Sequence, residues 1–237
     1  MHLKQITVKS DQFPTTGAYP FHLSIFRDSP CLQLNTPVTF FVGENGSGKS
    51  TLLRAITRAC GIHIWSDSGK RRFEDNPYEN DLYRYIDVAW VNGKVSGAFF
   101  SAELFNYFAR SLDDWAVNDP GLLDYFGGSS LLSQSHGQSV LAFIRAQSKR
   151  GGVYFLDEPE TALSPKRQIE LLRLLVEVGA TGQTQWVIAT HSPILLGFPD
   201  AHIYNFNAAP IATIDYESTD YFTVYRDFLE NRERFLR

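Results

Sequence analysis

The residues best suited to chemistry in this chain lie between Gly43 and Thr51, where the sequence is GENGSGKST. Their spacing matches G-x-x-x-x-G-K-[ST], a loop that binds phosphate groups. Glycines there permit positive φ angles and let main-chain N–H groups approach a polyphosphate. We expect Lys49 to contact the β- and γ-phosphates and the Ser50 hydroxyl to bind Mg²⁺. The alternative is a chance match to a glycine-rich turn.

Two adjacent carboxylates, Asp157 and Glu158, end an apolar run at residues 151–156. At the carboxyl end of a strand both side chains can enter one crevice. We expect Asp157 to hold Mg²⁺ through a water and Glu158 to orient the water that attacks a γ-phosphate. His191 follows another apolar run, 185–190, and could donate to the γ-phosphate, although an isolated histidine is usually structural.

Two further stretches carry weaker signals. Glu103 is the only acid in residues 98–110, which predict a helix or a loop leading into one. It is a candidate to reach Mg²⁺ or the attacking water, and a surface carboxylate explains it nearly as well. Residues 133–139 (SQSHGQS) precede an apolar helical run, and Ser135 with Gly137 fits an anion-binding helix start. Any serine-rich helix cap would look similar.

Strands and helices must position these residues. Residues 38–42 form an apolar, β-branched and aromatic run, typical of a strand buried on both faces, and a helix follows from Ser50. Residues 151–156 and 185–190 predict further core strands. Ser164-Pro165 predicts a helix start, because proline in the first turn lacks only an N–H that would be unpaired.

The flanking regions predict smaller elements. Residues 82–91 alternate like a half-exposed strand, and Asn92-Gly93 predicts a hairpin into Lys94-Val95. Residues 221–236 predict a docking helix. Tyr19 and Phe21 precede the phosphate loop, where an aromatic ring can stack on adenine, but core packing is the better explanation for each.

Composition limits the class of protein. With 237 residues, 43% hydrophobic content and 20% charged content, the chain suits one large α/β domain. The net charge of −4 argues against a nucleic-acid binder that uses its whole surface, while residues 69–72 (GKRR) could form a local basic patch or a solvated loop. Cys31 and Cys60 predict buried thiols rather than a disulfide or zinc site. With no signal peptide or membrane span in the sequence, we expect a soluble, cytoplasmic protein.

The ordered set GENGSGKST, SQSHGQ, VYFLDEPETALS and IATHS resembles the ATP-binding cassette (ABC) ATPases from about Val38 to Ser192. Over nearly the whole chain the sequence is similar to stand-alone bacterial predicted AAA-family ATPases, which are relatives of SMC-like and RecF-like ATPases. The resemblance implies a nucleotide-contacting set drawn from the Walker A loop and the signature motif. These residues are Gly43, Glu44, Asn45, Gly46, Ser47, Gly48, Lys49, Ser50, Thr51, Ser135, Gly137 and Gln138.

The same resemblance assigns the remaining roles. Asp157 and Glu158 would be the Walker B pair, residues 162–164 the D-loop and His191 the switch histidine. Catalysis would then involve Glu158, His191 and Lys49, and the metal would be bound by Ser50, Asp157 and Glu103.

Three departures from the family pattern affect the expected dimer contacts and hydrolysis rate. Gln134 and His136 replace the usual Leu and first Gly of the signature motif, and Ser164 replaces the D-loop Asp. No Q-loop Gln is evident, and Glu103 is the proposed substitute.

The fold implied is an α/β P-loop NTPase of the ABC type, with a mostly parallel core sheet. We predict one domain, 1–237, in which an antiparallel β lobe, a helical signature subdomain, a RecA-like core and a C-terminal helix are combined. The antiparallel lobe is 1–37 with 80–97, and the helical signature subdomain is 98–150. The RecA-like core is 38–60 with 151–215, and the C-terminal helix is 216–237.

The family's activity would be hydrolysis of Mg-ATP at the interface of an ATP-induced head-to-tail homodimer. Closure would be coupled to a macromolecular partner, for example DNA or a defence or repair protein. The alternatives are the nucleotide-binding subunit of a membrane transporter, which the atypical signature disfavours, and a non-catalytic nucleotide sensor, which Glu158 disfavours.

Overall fold

The computed structural model describes residues 1–29, 31–65 and 76–236. The basic stretch 69–72, considered above as a nucleic-acid or partner contact, lies outside the described residues. Among the helices of the described part, none is long and apolar enough to cross a membrane.

A mostly parallel six-stranded sheet forms the centre of the molecule, in the order β5-β6-β7-β3-β8-β9. Only β9 runs antiparallel to its neighbour. A separate three-stranded antiparallel sheet has the order β2-β1-β4. The strands are β1 (Leu3–Val8), β2 (Cys31–Gln33), β3 (Val38–Val42), β4 (Ile86–Trp90), β5 (Gly97–Ser101), β6 (Gly152–Asp157), β7 (Thr184–Ala189), β8 (His202–Asn205) and β9 (Ala212–Thr213).

Helices cover both faces of the six-stranded sheet, as buried parallel strands require. They are α1 (Ser24–Arg27), α2 (Lys49–Ala59), α3 (Phe105–Ala116), α4 (His136–Ser148), α5 (Pro165–Thr181), α6 (Pro193–Leu196) and α7 (Asp220–Glu230). Side chains alternate along each strand, so β3 sends Phe40 into one apolar layer and Phe41 into the other. The first layer includes α3, α4 and α5, and the second includes α2 and the small sheet. This arrangement confirms the predicted mostly parallel α/β core with a small antiparallel sheet.

Strand register brings the predicted chemical residues to one edge of the large sheet. Ala189 of β7 pairs with Phe41 of β3 on one side and with Asp157 of β6 on the other. The phosphate loop, the acidic pair and His191 therefore all follow strand ends at the same level. At such an edge of an open parallel sheet α/β proteins bind their ligands.

The predicted hairpin at Asn92-Gly93 is wrong. β4 pairs with β1 in the small sheet, whereas β5 pairs in parallel with β6 at the edge of the large sheet. The chain crosses between sheets because Phe99 and Phe100 are both buried and need cover on two faces. A Cβ on Gly97 would lie 1.9 Å from Val153 O, so glycine permits this close strand pairing.

Four smaller expectations also need correction. Residues 98–101 belong to a strand, and helix α3 begins only at Phe105. The C-terminal helix α7 ends at Glu230, and a 3-10 turn covers 232–235. Cys31 is exposed rather than buried, because β2 alternates and directs Leu32 into the core; Cys60 is buried as predicted. Phe21 is fully buried, whereas Tyr19 is 37% exposed and does not belong to the core.

Candidate nucleotide site

The loop between β3 and α2 has the backbone shape that its glycines predict. Gly48 takes φ +99° immediately before the first residue of α2, and a Cβ there would lie 2.9 Å from the Phe26 ring. No other residue type fits this conformation and contact without strain. The first N–H groups of α2 have no partners within the helix, so the loop and helix start together form an anion-binding concavity.

Lys49 lies inside this concavity with only 4% of its surface exposed. Its Nζ donates to Gly43 O at 2.6 Å and to Glu44 O at 2.8 Å. Burial lowers the pKa of the ammonium group, and the nearby charges of Glu158 and Asp157 oppose that shift. The loop thus holds a cation among carbonyl groups, positioned to exchange those contacts for phosphate oxygens.

Ser50 and Asp157 form the oxygen pair that a magnesium ion would use. Ser50 Oγ donates to Asp157 Oδ1 at 2.6 Å, and Arg54 Nη2 lies 3.3 Å from Asp157 Oδ2. Burial raises the pKa of the Asp157 carboxyl, while Ser50 and Arg54 oppose the rise. Mg²⁺ in nucleotide sites takes one or two protein oxygens and completes its octahedron with phosphate and water. The donor set fits that ion, and no group of three or more His, Cys, Asp or Glu side chains within the described residues could hold a metal.

Glu158 and His191 lie beside this pair. Glu158 takes φ +48° and ψ +55°, a left-handed conformation that costs a non-glycine residue about 1–3 kcal/mol and is concentrated at functional sites. His191 Nε2 lies 3.4 Å from Glu158 Oε1. Burial and the charge of Lys49 lower the pKa of the imidazole, and Glu158 opposes them. The structure therefore brings Lys49, the two acids and His191 into one site.

Glu103 is connected to the site only indirectly. Its side chain is 65% exposed, and its Oε2 lies 3.7 Å from Arg54 Nη2, the same guanidinium nitrogen that faces Asp157. Glu103 follows the end of β5, whose Ser101 pairs with Asp157 in register. Arg54 thus stands between Glu103 and the Ser50–Asp157 pair.

The predicted signature residues lie at the start of α4. Ser135 is the N-cap of α4, and both its N–H and its hydroxyl donate to Gln138 Oε1. Gly137 packs against the predicted D-loop, since a Cβ on it would lie 3.2 Å from Ala162 O. The structure therefore places the start of the signature helix, at Gly137, against the predicted D-loop.

Two cavities flank the loop. One, of about 170 Å³, adjoins the start of α2, where Tyr19 Oη and Thr51 Oγ1 are hydrogen-bonded at 2.6 Å. The other, of about 370 Å³, lies beside Glu44 and Asn45. None of the three signature residues lines either cavity.

Sequence reasoning missed several residues that connect the site. Glu160 Oε1 accepts a 2.5 Å hydrogen bond from His191 N. Gln168 accepts from the Ser192 hydroxyl at 2.6 Å and donates to Leu163 O at 2.9 Å, which joins the histidine turn to the D-loop. Arg54 could have been found, because it lies one helical turn after Ser50 on the same face. Glu160 could also have been found, because it lies within the motif VYFLDEPETALS, whereas Gln168 lies beyond that motif.

Comparison with known proteins gives family matches to AAA domains and a relative that is an ATP-binding protein. A family model described as "AAA domain, putative AbiEii toxin, Type IV TA system" matches residues 130–197, and an "AAA domain" model matches residues 22–100. The phosphate import ATP-binding protein PstB of Colwellia psychrerythraea is 29% identical over 179 residues. That alignment covers 65% of this chain and 62% of PstB, so the chain spans about three fifths of this relative.

Solved structures share the fold at low sequence identity. CbiO1 from Clostridium perfringens, part of the ABC transporter complex cbiONQ, has a TM-score of 0.53 and 17% identity, with 98% of this chain and 97% of that chain covered. An SMC head bound to the C-terminal winged-helix domain of ScpA has a TM-score of 0.51 and 12% identity, covering 91% and 98%. The partial family matches agree with the resemblance predicted from the sequence, and the solved structures confirm the predicted α/β P-loop NTPase fold.

Proposed function

We propose that this chain binds and hydrolyses Mg-ATP between two head-to-tail copies of itself and couples the closure of that pair to a macromolecular partner. The observation that carries the proposal is the convergence of Lys49, the Ser50–Asp157 pair, Glu158 and His191 at one edge of the parallel sheet. Each group has the charge and chemistry that a triphosphate requires.

The phosphate loop would bind the nucleotide. Lys49 Nζ would exchange its carbonyl contacts for β- and γ-phosphate oxygens, and the N–H groups at the start of α2 would donate to the other oxygens. Bound Mg²⁺, held by Ser50 and by Asp157 directly or through water, would neutralise charge that develops on the phosphates. Tyr19 borders the cavity beside Thr51 and would contact the nucleoside there.

Glu158 would serve as the general base. Its left-handed backbone follows the end of β6, its carboxylate lies 3.4 Å from His191 Nε2, and its charge acts on the buried Lys49. A carboxylate that accepts a proton from the attacking water raises the rate by about 10²–10⁴-fold. Lys49 would stabilise the charge on the γ-phosphate while Glu158 orients the water.

The position of the signature motif at the start of α4 supports a head-to-tail dimer. One copy offers donors from the phosphate loop on one side of the nucleotide, while its own Gly137 packs against the predicted D-loop and its Ser135 is bonded to Gln138. A second copy rotated by two-fold symmetry would bring its signature helix to the open side of the γ-phosphate. Binding of ATP would then favour the closed pair, and hydrolysis would release it.

A Glu158→Gln variant tests this proposal. It should bind ATP but hydrolyse it too slowly to reopen, so light scattering after size exclusion with ATP and Mg²⁺ should show a dimer. The double variant Lys49→Ala/Glu158→Gln is the matched control and should stay monomeric. A Glu158→Gln protein that is saturated with ATP, as equilibrium dialysis would establish, and still monomeric contradicts the sandwich.

The nucleotide-binding subunit of a membrane transporter is the second candidate, favoured by the names of the PstB relative and of the cbiO1 structure. In that case genes beside this one should encode membrane proteins that copurify with the chain. For the first candidate, pull-down of the ATP-trapped Glu158→Gln protein from cells should instead recover DNA or a soluble partner. These outcomes separate the two candidates.

A further inference from the structure

The side chain of Tyr221, in the first turn of α7, connects two parts of the nucleotide site. Its hydroxyl lies 2.5 Å from His191 Nδ1 and donates to Gly43 O at 2.9 Å. Gly43 begins the phosphate loop, and its carbonyl also accepts from Lys49. One phenol group on the C-terminal helix therefore contacts both the loop and the histidine.

Elimination assigns the proton on the imidazole. A carbonyl oxygen only accepts, so the single proton of the Tyr221 hydroxyl is directed to Gly43 O. When both contacts of the hydroxyl are kept as hydrogen bonds, it accepts from His191 Nδ1, and Nδ1 carries a hydrogen. In a neutral ring this leaves Nε2 with a lone pair and no proton.

The other ring nitrogen, Nε2, is placed to accept a hydrogen bond. His191 Nε2 is buried and makes no hydrogen bond of good geometry within the part of the chain that the structure describes, and Glu158 Oε1 lies 3.4 Å away. A lone pair facing a carboxylate is unfavourable unless a group that donates to both, such as a water, lies between them. The pair thus presents two acceptors to one point beside Lys49.

We propose that Tyr221 is a positioning residue that keeps the proton of His191 on Nδ1, so that Nε2 and Glu158 together accept hydrogen bonds from the attacking water. This inference rests on the proposed function, because it assumes that water attacks a nucleotide in this site. In the neutral state His191 is then an acceptor, not a donor to the γ-phosphate. The phenol keeps its proton at neutral pH, since burial and nearby acids raise the pKa of Tyr221 to about 12.

Coupling between α7 and the loop follows from the same contacts. Displacing α7 would remove the acceptor for Nδ1–H, and His191 could then adopt the tautomer with hydrogen on Nε2. That tautomer would donate to Glu158 and occupy the carboxylate that the water needs. The position of the C-terminal helix thereby controls the hydrogen-bonding state of the catalytic pair.

Nitrogen-15 NMR of the histidine side chains tests the proposal directly. The two nitrogens of a neutral ring differ widely in chemical shift according to which carries hydrogen, and a His191→Gln spectrum assigns the resonance among the six histidines. The wild-type protein should show hydrogen on Nδ1 of His191. In Tyr221→Phe this preference should be lost, and kcat for ATP should fall about tenfold with KM unchanged.

Tyr216→Phe is the matched control. The Tyr216 hydroxyl donates to Pro193 O at 2.9 Å, so its loss removes a similar bond between the C-terminal segment and the core without touching His191. This variant should keep both the tautomer and kcat. Hydrogen on Nε2 in the wild type, or an unchanged tautomer in a folded Tyr221→Phe, overturns the proposal. If His191 carries hydrogen on Nδ1 but the chain has no ATPase activity, the contact with Tyr221 stands and the proposed function is rejected instead.

Discussion

The Ser50 hydroxyl donates a 2.6 Å hydrogen bond to Asp157, joining the first turn of α2 to the end of β6. These residues are 107 positions apart in the chain, and strand register brings them together. The pair offers a hydroxyl and a carboxylate oxygen beside the phosphate loop, and among the described residues no group of three or more His, Cys, Asp or Glu side chains could hold a metal ion.

Replacing Ser50 with alanine should weaken the response to magnesium. The variant loses one ligand oxygen and the hydrogen bond that helps keep Asp157 ionised. The Mg²⁺ concentration for half-maximal ATPase activity should rise about tenfold, with ATP binding in EDTA unchanged. Ser148→Ala is the control, because its hydroxyl bonds to Arg145 O at the far end of α4. An unshifted Mg²⁺ midpoint would remove Ser50 from the metal site.

Replacing Lys49 with alanine should abolish useful affinity for ATP. The ammonium group is the one positive charge inside the loop, held 2.6 Å from Gly43 O, and the loop amides alone bind a polyphosphate more weakly. We expect Kd for ATP to rise at least about 100-fold, or about 2.7 kcal/mol, by isothermal titration calorimetry. Exposed Lys149→Ala should bind like the wild type. Equal affinity in both variants would contradict the assignment of the phosphate loop.

The two cysteines should differ sharply in reactivity. Cys31 is exposed on β2, whereas burial raises the pKa of the Cys60 thiol to about 12 and keeps it protonated. Since the thiolate is the reactive form, a disulfide reagent should modify one thiol in the folded protein and the second only after denaturation. Cys31→Ser should lose the fast reaction and Cys60→Ser should keep it. Fast modification of folded Cys31→Ser would show that Cys60 is accessible.

Sequence reasoning was sound where the signal was local. The loop around Lys49 and the strand ends at Asp157 and His191 each combine a buried run with a motif at its end, so their positions followed from pattern alone. Parallel strands share one polarity, which made the meeting of these ends predictable. The fold class was accessible for the same reason.

The errors arose where distant contacts decide the structure. The short run at β5 is equally compatible with a helix, and its partner β6 lies about 50 residues further along the chain. Asn92-Gly93 has strong hairpin propensity, yet the buried faces of Phe99 and Phe100 draw β5 into the other sheet. Tyr221 has no distinguishing neighbours in sequence, and only the packing of α7 reveals its contact with His191.

The ionised carboxylate of Glu160 should lower the free energy of unfolding of the protein at neutral pH. Burial raises the pKa of its carboxyl above the ordinary value of 4.5, although the bond from His191 N opposes the shift. The folded state therefore holds the proton more tightly than the unfolded chain does. This contribution favours folding at low pH and is lost as pH rises through the folded pKa. A neutral side chain of the same shape avoids the cost of a buried charge.

Glu160→Gln should accordingly raise Tm by about 3 °C near pH 7.5, and the gain should shrink toward zero as pH falls to about 4. The amide can keep the acceptor for His191 N, so that hydrogen bond survives the change. Glu233→Gln, at an exposed position near the C-terminus, should leave Tm unaltered across the same range. Melting curves for the three proteins at matched ionic strength provide the comparison. A gain independent of pH would mean that loss of the charge is not its cause, because only the ionised carboxylate makes the difference between Glu and Gln depend on pH.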